Sequence, residues 1–214
     1  MNRRWSAPPQ RDSQEPSVFA GTLQSLCAAT SARAAALVDV EGETVDYAAA
    51  RDPFEIKVAA AEWRLILRFL GQAPGELAHT QELYVRAASR SYCLVALEEG
   101  YALVMELPRW CFSVSQRAVC QAVQELSEEA GLANPSWCGA GASWRRVQVQ
   151  TVQGTRRPQA LCLERRWQEL TVLGRYQEPG FRGGEVGYRV RLLDGHELNL
   201  VREPLGIWYL DLVS

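Results

Sequence analysis

The side chains able to do chemistry are few and scattered. Only two histidines, His79 and His196, occur in 214 residues, and the six cysteines stand at 27, 93, 111, 120, 138 and 162 with no Cys-x-x-Cys pair among them. A structural zinc site asks for four thiolate or imidazole ligands at close spacing. No such set is legible, so neither metal nor cofactor is expected. Asp39 and Asp46 flank a turn but are too isolated to work as an acid–base pair. No serine stands in a Gly-x-Ser-x-Gly elbow. Cys111, between Trp110 and Phe112 ahead of a helical stretch, sits where a helix start lowers a thiol pKa. No histidine accompanies it as a base, and a packed thiol is the expectation. The glycine-rich PGFRGGEVG at 179–187 lacks the Gly-Lys-Ser/Thr and the following helix of a phosphate loop. It reads as a hairpin loop with Arg182 at its tip. No catalytic constellation emerges, and a protein without an active site is expected.

Arginine is the other chemical resource: of 23 basic residues only Lys57 is a lysine. The pairs Arg145-Arg146, Arg156-Arg157 and Arg165-Arg166 make a candidate basic strip, with Trp144, Trp167, Tyr188 and Trp208 available to stack bases. The opposing reading turns one arginine of each pair outward for solubility and puts the tryptophans in a small core, with acidic neighbours balancing the strip. Residues 1–140 carry 12 basic and 17 acidic side chains, residues 141–214 carry 11 and 8. Neither half has the charge density of a dedicated nucleic-acid binder.

The element that organises the chain is DPFEIKVAAAEWRLILRFLG, 52–71. Asp52, Pro53 and Glu55 spell an N-terminal capping box, and Gly71 offers a left-handed exit. Ile56, Ala59, Ala60, Trp63, Ile66, Leu67 and Leu70 form one apolar stripe at helical spacing. Phe54, Val58, Ala61, Leu65 and Phe69 form a second. At about 100° per residue the two point in nearly opposite directions. Glu55 and Glu62 lie on one flank, Lys57, Arg64 and Arg68 on the other. A helix buried on both sides within its own domain satisfies this pattern; so does a helix whose second stripe meets another chain.

The remaining elements surround it. Apolar content of 47% and charged content of 22% are those of a globular chain, and no run of 18 apolar residues suggests a membrane span. Residues 1–16 read as a disordered leader without a secretory signal. Thiols in apolar runs suggest a reducing, cytoplasmic setting. A helix is expected over 17–30 with Ser17 as cap, then strands at 34–40 and 43–48 around Glu41-Gly42. After the long helix come strands at 80–88, 92–97 and 101–107, the last two joined by Glu98-Glu99-Gly100. A final helix is expected from Ser113, boxed by Gln116, to Gly131. Residues 133–143 read as a linker. Beyond it the period changes to alternation at 144–153, 165–176, 187–203 around Asp194-Gly195, and 207–213, which predicts a small β domain over 144–214, sheet or barrel-like. The fold class expected is α+β, a five-stranded antiparallel sheet flanked by three helices over 17–132, followed by the all-β unit.

This order, with Ala-Ala-Leu-Val-Asp-x-Glu-Gly at 35–42, the alanine-rich helix after it, Glu-Glu-Gly-Tyr-Ala-Leu-Val at 98–104 and Leu-x-x-Glu-Ala-Gly at 126–131, resembles the roadblock/dynein light chain family. The resemblance implies a sheet between helices and pairing through the second helix and the third strand. MglB-type members regulate Ras-like small GTPases, so it further implies a homodimeric, non-catalytic regulator or scaffold. Its partner-binding residues would be Phe54, Val58, Ala61, Leu65 and Phe69, flanked by Arg64 and Arg68 as candidate arginine fingers. The C-terminal region departs from the minimal family fold. Its pattern around Tyr188, Asp194-Gly195 and Trp208-Tyr209-Leu210 resembles a small uncharacterised bacterial β domain encoded near translesion-polymerase accessory genes. The alternative function is therefore a nucleic-acid-associated, DNA-repair accessory protein that reads through this domain.

Overall fold

The computed structural model describes residues 17–50, 52–109, 111, 113–138, 144–177 and 184–211. The leader, the linker stretch 139–143, the loop tip with Arg182 and the last three residues lie outside them. Helix α1 (Val18–Thr30) starts at Ser17, whose Oγ accepts the Ala20 amide at 3.1 Å. Strands β1 (Ala34–Val38) and β2 (Thr44–Ala49) form the expected hairpin. Asp39 closes its turn by accepting the Glu41, Gly42 and Glu43 amides at 3.0, 3.0 and 2.9 Å, a backbone role. There follow α2 (Pro53–Gly71), β3 (Glu82–Arg86), β4 (Arg90–Ala96), β5 (Ala102–Pro108) and α3 (Gln116–Ala130). The sheet runs β2-β1-β5-β4-β3, antiparallel throughout.

Strand alternation sends side chains to two separate cores. Ala35, Leu37, Cys93, Val95, Leu103 and Met105 point to one face, covered by Leu23 and Leu26 of α1 and by Val119, Val123 and Leu126 of α3. Ala34, Ala36, Val38, Leu94, Ala102 and Val104 point to the other, covered by Ile56, Ala59, Ala60 and Leu67 of α2. Two helices thus share one side of the sheet, and among the described residues α2 is the helix on the other.

The β unit is a closed barrel of β6 (Trp144–Thr151), β7 (Pro158–Leu163), β8 (Arg166–Tyr176), β9 (Val186–Leu192), β10 (Glu197–Arg202) and β11 (Trp208–Asp211), in the order β10-β11-β6-β7-β8-β9. Leu161, Tyr188, Val190, Leu200, Trp208 and Leu210 fill it. Gly195, at φ 90°, makes the predicted hairpin turn. Strand β7 is an addition to the expected set. Its apolar run is short and opens on Pro158, tolerated as a strand's first residue because it gives no ladder donor.

Three local expectations are corrected. Gly71 is not a left-handed exit: α2 ends on Gln72 at φ −95°, whose amide reaches the Phe69 carbonyl at 3.2 Å, and the left-handed step comes at Gly75. Asp52 caps the Phe54 amide at 3.0 Å, but Glu55 does not complete the box. It pairs with Arg90 at 3.0 Å, which also holds Glu106 at 3.1 Å, since a cation in reach outbids an amide as partner for a carboxylate. Helix α3 is capped by Ser115 and not Ser113; Gln116 instead donates to Glu82 at 2.8 Å and to the Tyr84 hydroxyl at 3.2 Å.

The barrel rests on the ends of α1 and α3. Arg117, in the first turn of α3, places Nη1 at 2.6 Å from Glu185 and 3.7 Å from Glu203, both buried. Glu203 also accepts the Arg117 amide at 3.2 Å. Trp144 lies against the guanidinium at 4.6 Å, and Ser115 Oγ is hydrogen-bonded to the Tyr209 hydroxyl. At the other helix Arg146 donates to the Ala29 carbonyl at 3.1 Å. Carboxylates thus meet a helix start and a guanidinium meets a helix end, the senses that the helix dipole favours.

Burial is the main influence raising the Glu203 carboxyl pKa; the Arg117 amide, Ser115 and the Arg117 charge pull it down. A carboxyl held above its unfolded value contributes stability at low pH that is lost as pH rises through the folded value. Removing the arginine raises it further and leaves two buried charges without compensation. Arg117→Met is therefore expected to lower the melting temperature more at pH 8 than at pH 5. Thermal melts at both values check this, and an equal drop would mean that the guanidinium does not compensate these carboxylates.

Candidate functional site

Helix α2 meets the sheet through small residues. Ala59 and Ala60 lie against Ala34, Ala36 and Ala102, so the helix axis comes close to the strands. Ile56 and Leu67 fill the space on either side, and Trp63 packs its ring on Tyr92 with centroids 5.3 Å apart. At the flank, Lys57 Nζ sits 4.4 Å from the Tyr47 ring centroid.

The second stripe faces away from all of this. Phe54 is 69% exposed, Val58 41%, Leu65 49% and Phe69 59%, and Ala61 between them is exposed as well. The five residues occupy an arc roughly 80° wide. Arg68 is exposed beside it. The reading in which both stripes are buried within the chain's own domain is thereby excluded for this face.

Two side chains exchange places relative to expectation. Ile66, assigned to the inner stripe, is 41% exposed, while Arg64, assigned to a polar flank, is buried. The tight turns of β1–β2 and β4–β5 cover the helix on the Arg64 side. Gly100, at φ 80°, approaches so near that a Cβ there would lie 3.0 Å from Arg64 Nη2 and 3.0 Å from Val40. Gly42, at φ 91°, lies beside Ala61 and the Arg64 stem, where a Cβ would make ordinary contacts at 3.9–4.0 Å. Burial is the largest influence lowering the Arg64 pKa, followed by Arg68, with Asp39 and Glu41 opposing. Arg64 is thus a packing element beneath two turns, and Arg68 is the guanidinium beside the arc that solvent reaches.

Sequence reasoning missed two contributors to the apolar surface, Ile66 and Leu77. Leu77 lies in the 3₁₀ turn Gly75–His79 packed against α2 and is 55% exposed. Its signal was the unpaired leucine in a connector otherwise made of small and polar residues. Strand β3 ends the sheet, and its outer edge carries no strand among the described residues.

The thiols have structural surroundings. Cys27, Cys93, Cys111 and Cys162 are free thiols. Burial pushes Cys27 up to about 11 and Cys93 higher still, away from nucleophilic character. Cys111 directs its S–H to the Ser113 carbonyl at 3.1 Å. Among the described residues no three His, Cys, Asp or Glu side chains cluster to hold a metal, and no helix is long and apolar enough to cross a membrane. Of the proposed stacking aromatics, Trp208 and Tyr188 are buried in the barrel, Trp144 packs on Arg117, and Trp167 is exposed.

No protein-family model matches the sequence, and no curated protein matches it. Among solved structures the chain is similar to MglB of Myxococcus xanthus, at 16% identity and a TM-score of 0.47, over 55% of this chain and 98% of that one. It is similar to the gliding protein MglB from Thermus thermophilus at 19% and 0.45, over 59% and 98%. A Roadblock/LC7 domain from Streptomyces avermitilis aligns at 14% and 0.39, over 51% and 88%.

The geometry separates surface from support on this helix. Leu65→Glu is expected to change stability by no more than about 0.5 kcal/mol, as a substitution of an exposed residue. Gly100→Ala is expected to cost about 1–3 kcal/mol, because it combines a left-handed backbone with a contact on Arg64. Chemical denaturation of the two variants checks the contrast.

Proposed function

We propose that this protein is a non-catalytic, dimeric regulator or scaffold that engages a Ras-like small GTPase through helix α2. The single observation that carries the reading is the exposed apolar arc Phe54, Val58, Ala61, Leu65 and Phe69. It lies on the side of the sheet opposite α1 and α3, and the barrel docks on the ends of those two helices. The resemblance to the roadblock family supports the assignment of partner, and the open edge of β3 is consistent with pairing that continues through the third strand. Each large side chain in the arc gains up to ~1.5–3 kcal/mol on full burial. Association and side-chain ordering offset much of that sum. A micromolar or tighter pair is the scale this supports.

A protein of this kind acts on a GTPase by holding the GTPase's own switch elements in place, giving position and charge without a nucleophile. Arg68 is the side chain placed to give charge. Arg64 is buried beneath its turns.

Leu65→Glu puts a charge at the centre of the arc. Light scattering is expected to show the solution mass fall to that of one chain while the circular dichroism stays unchanged. Capture of a GTPase from the native cell, followed by a hydrolysis assay, is expected to succeed with the wild type and fail with the variant. An unchanged mass together with unchanged capture would overturn the proposal.

A further inference from the structure

Between the β6–β7 hairpin and the loop joining β10 to β11 lies an open groove of about 710 Å³. Arg146, Arg156 and Arg202 line it with Gln148, Thr151 and Leu205, and no carboxylate does. The strand register accounts for its shape. Strand β11 pairs with β6 over Trp144–Val147, whereas β7 pairs with it over Gln148–Thr151. On the side away from β7, Gln148–Thr151 therefore has no strand neighbour among the described residues. A turn takes its place, closed by the Gly206 amide on the Glu203 carbonyl at 2.9 Å. An unpaired strand edge is a template for an added strand.

The charge is one-sided for a structural reason. Ten arginines of the described barrel reach the surface against five carboxylates, because Glu185 and Glu203 are buried against Arg117. Among the described residues no ion pair engages Arg146, Arg156 or Arg202; Arg146 gives one N–H to the Ala29 carbonyl at the end of α1 and keeps its other donors. A single-stranded nucleic acid is one polyanion that such a surface attracts, but bases need aromatic faces to stack on. Trp208 is the aromatic of the groove and is 6% exposed; Trp167, the exposed tryptophan, is not part of the lining. Guanidinium groups match carboxylates bidentately, and a four-residue edge spans ~13 Å, over which alternate side chains of an added strand fall on one face.

We propose that this groove binds an extended acidic segment of a partner protein as an added strand on the β6 edge, with the three arginines taking its carboxylates. The site is separate from the α2 face and stands independently of its role.

Fluorescence anisotropy on the full chain tests it with three labelled probes. These are a peptide of alternating glutamate and valine, the same peptide with proline for each valine, and an oligothymidylate of equal charge. The glutamate–valine probe is expected to bind. The proline probe, equal in charge but with every second backbone N–H removed and φ fixed near −65°, is expected to bind at least about tenfold more weakly. Arg156→Glu with Arg202→Gln is expected to weaken the first probe by at least about tenfold, and Arg166→Glu, outside the groove, to leave it unchanged. If the double variant melts at a lower temperature, Arg156→Glu alone, in the exposed turn after β6, carries the test. Equal binding of the proline probe, tighter binding of the oligothymidylate, or no binding of the glutamate–valine peptide would each overturn the proposal.

Discussion

The close seat of α2 on an alanine-lined strip of sheet is the constraint on which the rest of the first domain depends. Ala34, Ala36 and Ala102 present almost no side chain to the helix, and Ala59 and Ala60 present almost none to the strands. Backbones that approach this closely gain dispersion contacts along their whole length, but they leave no room for bulk between them. Two phenylalanines, a leucine and a valine are carried on the opposite arc instead. The usual distribution, large residues inward, is reversed at the middle of this helix. The turns beside it are set by glycine too: a positive φ at both 42 and 100, and at 100 also the lack of room for a Cβ against Arg64 and Val40.

A different interaction sets the second domain. Arg117 is held between two buried carboxylates and a tryptophan ring, and beside it Tyr209, buried outside the barrel core, is hydrogen-bonded to Ser115. Buried ion pairs add little net stability, because desolvation offsets most of the attraction. They are demanding about geometry, however, and this one fixes where the barrel sits. Its position on the ends of α1 and α3 leaves the α2 face uncovered. It also consumes two of the barrel's own carboxylates, so a domain of mild net charge in sequence shows a clearly basic exterior.

Much of the fold was legible because its signals are local. Ser17, Asp52 and Gly131 mark helix ends by hydrogen bonds within a turn, Asp194-Gly195 marks a hairpin by backbone conformation, and period two against period 3.6 separates the halves of the chain. The outer arc of α2 was legible for the same reason, since five residues at helical spacing declare a face whatever covers it. What failed was whatever depends on distant neighbours. Ile66 and Arg64 lie on opposite borders of the inner stripe, and which is buried is decided by two turns from other parts of the chain. Glu55 and Gln116 have sequence partners for capping boxes, yet Arg90 and Glu82 reach them first. Barrel closure depends on β6 dividing its pairing between two strands, which alternation alone does not encode. Arg117, Glu185 and Glu203 are 68 and 86 residues apart and belong to no motif.

The same distinction bears on how the two surfaces relate. An apolar arc on a helix works by area, tolerates changes of partner and is insensitive to salt. A groove of guanidinium groups beside an open strand edge works by direction, through carboxylate forks and ladder amides, and weakens as salt rises. The Arg117 clamp lies between them in the chain and belongs to neither. It is directional, and it fixes the barrel at the start of α3. The barrel docks at the helix ends and leaves the arc of α2 open, as the proposed partner-binding role requires.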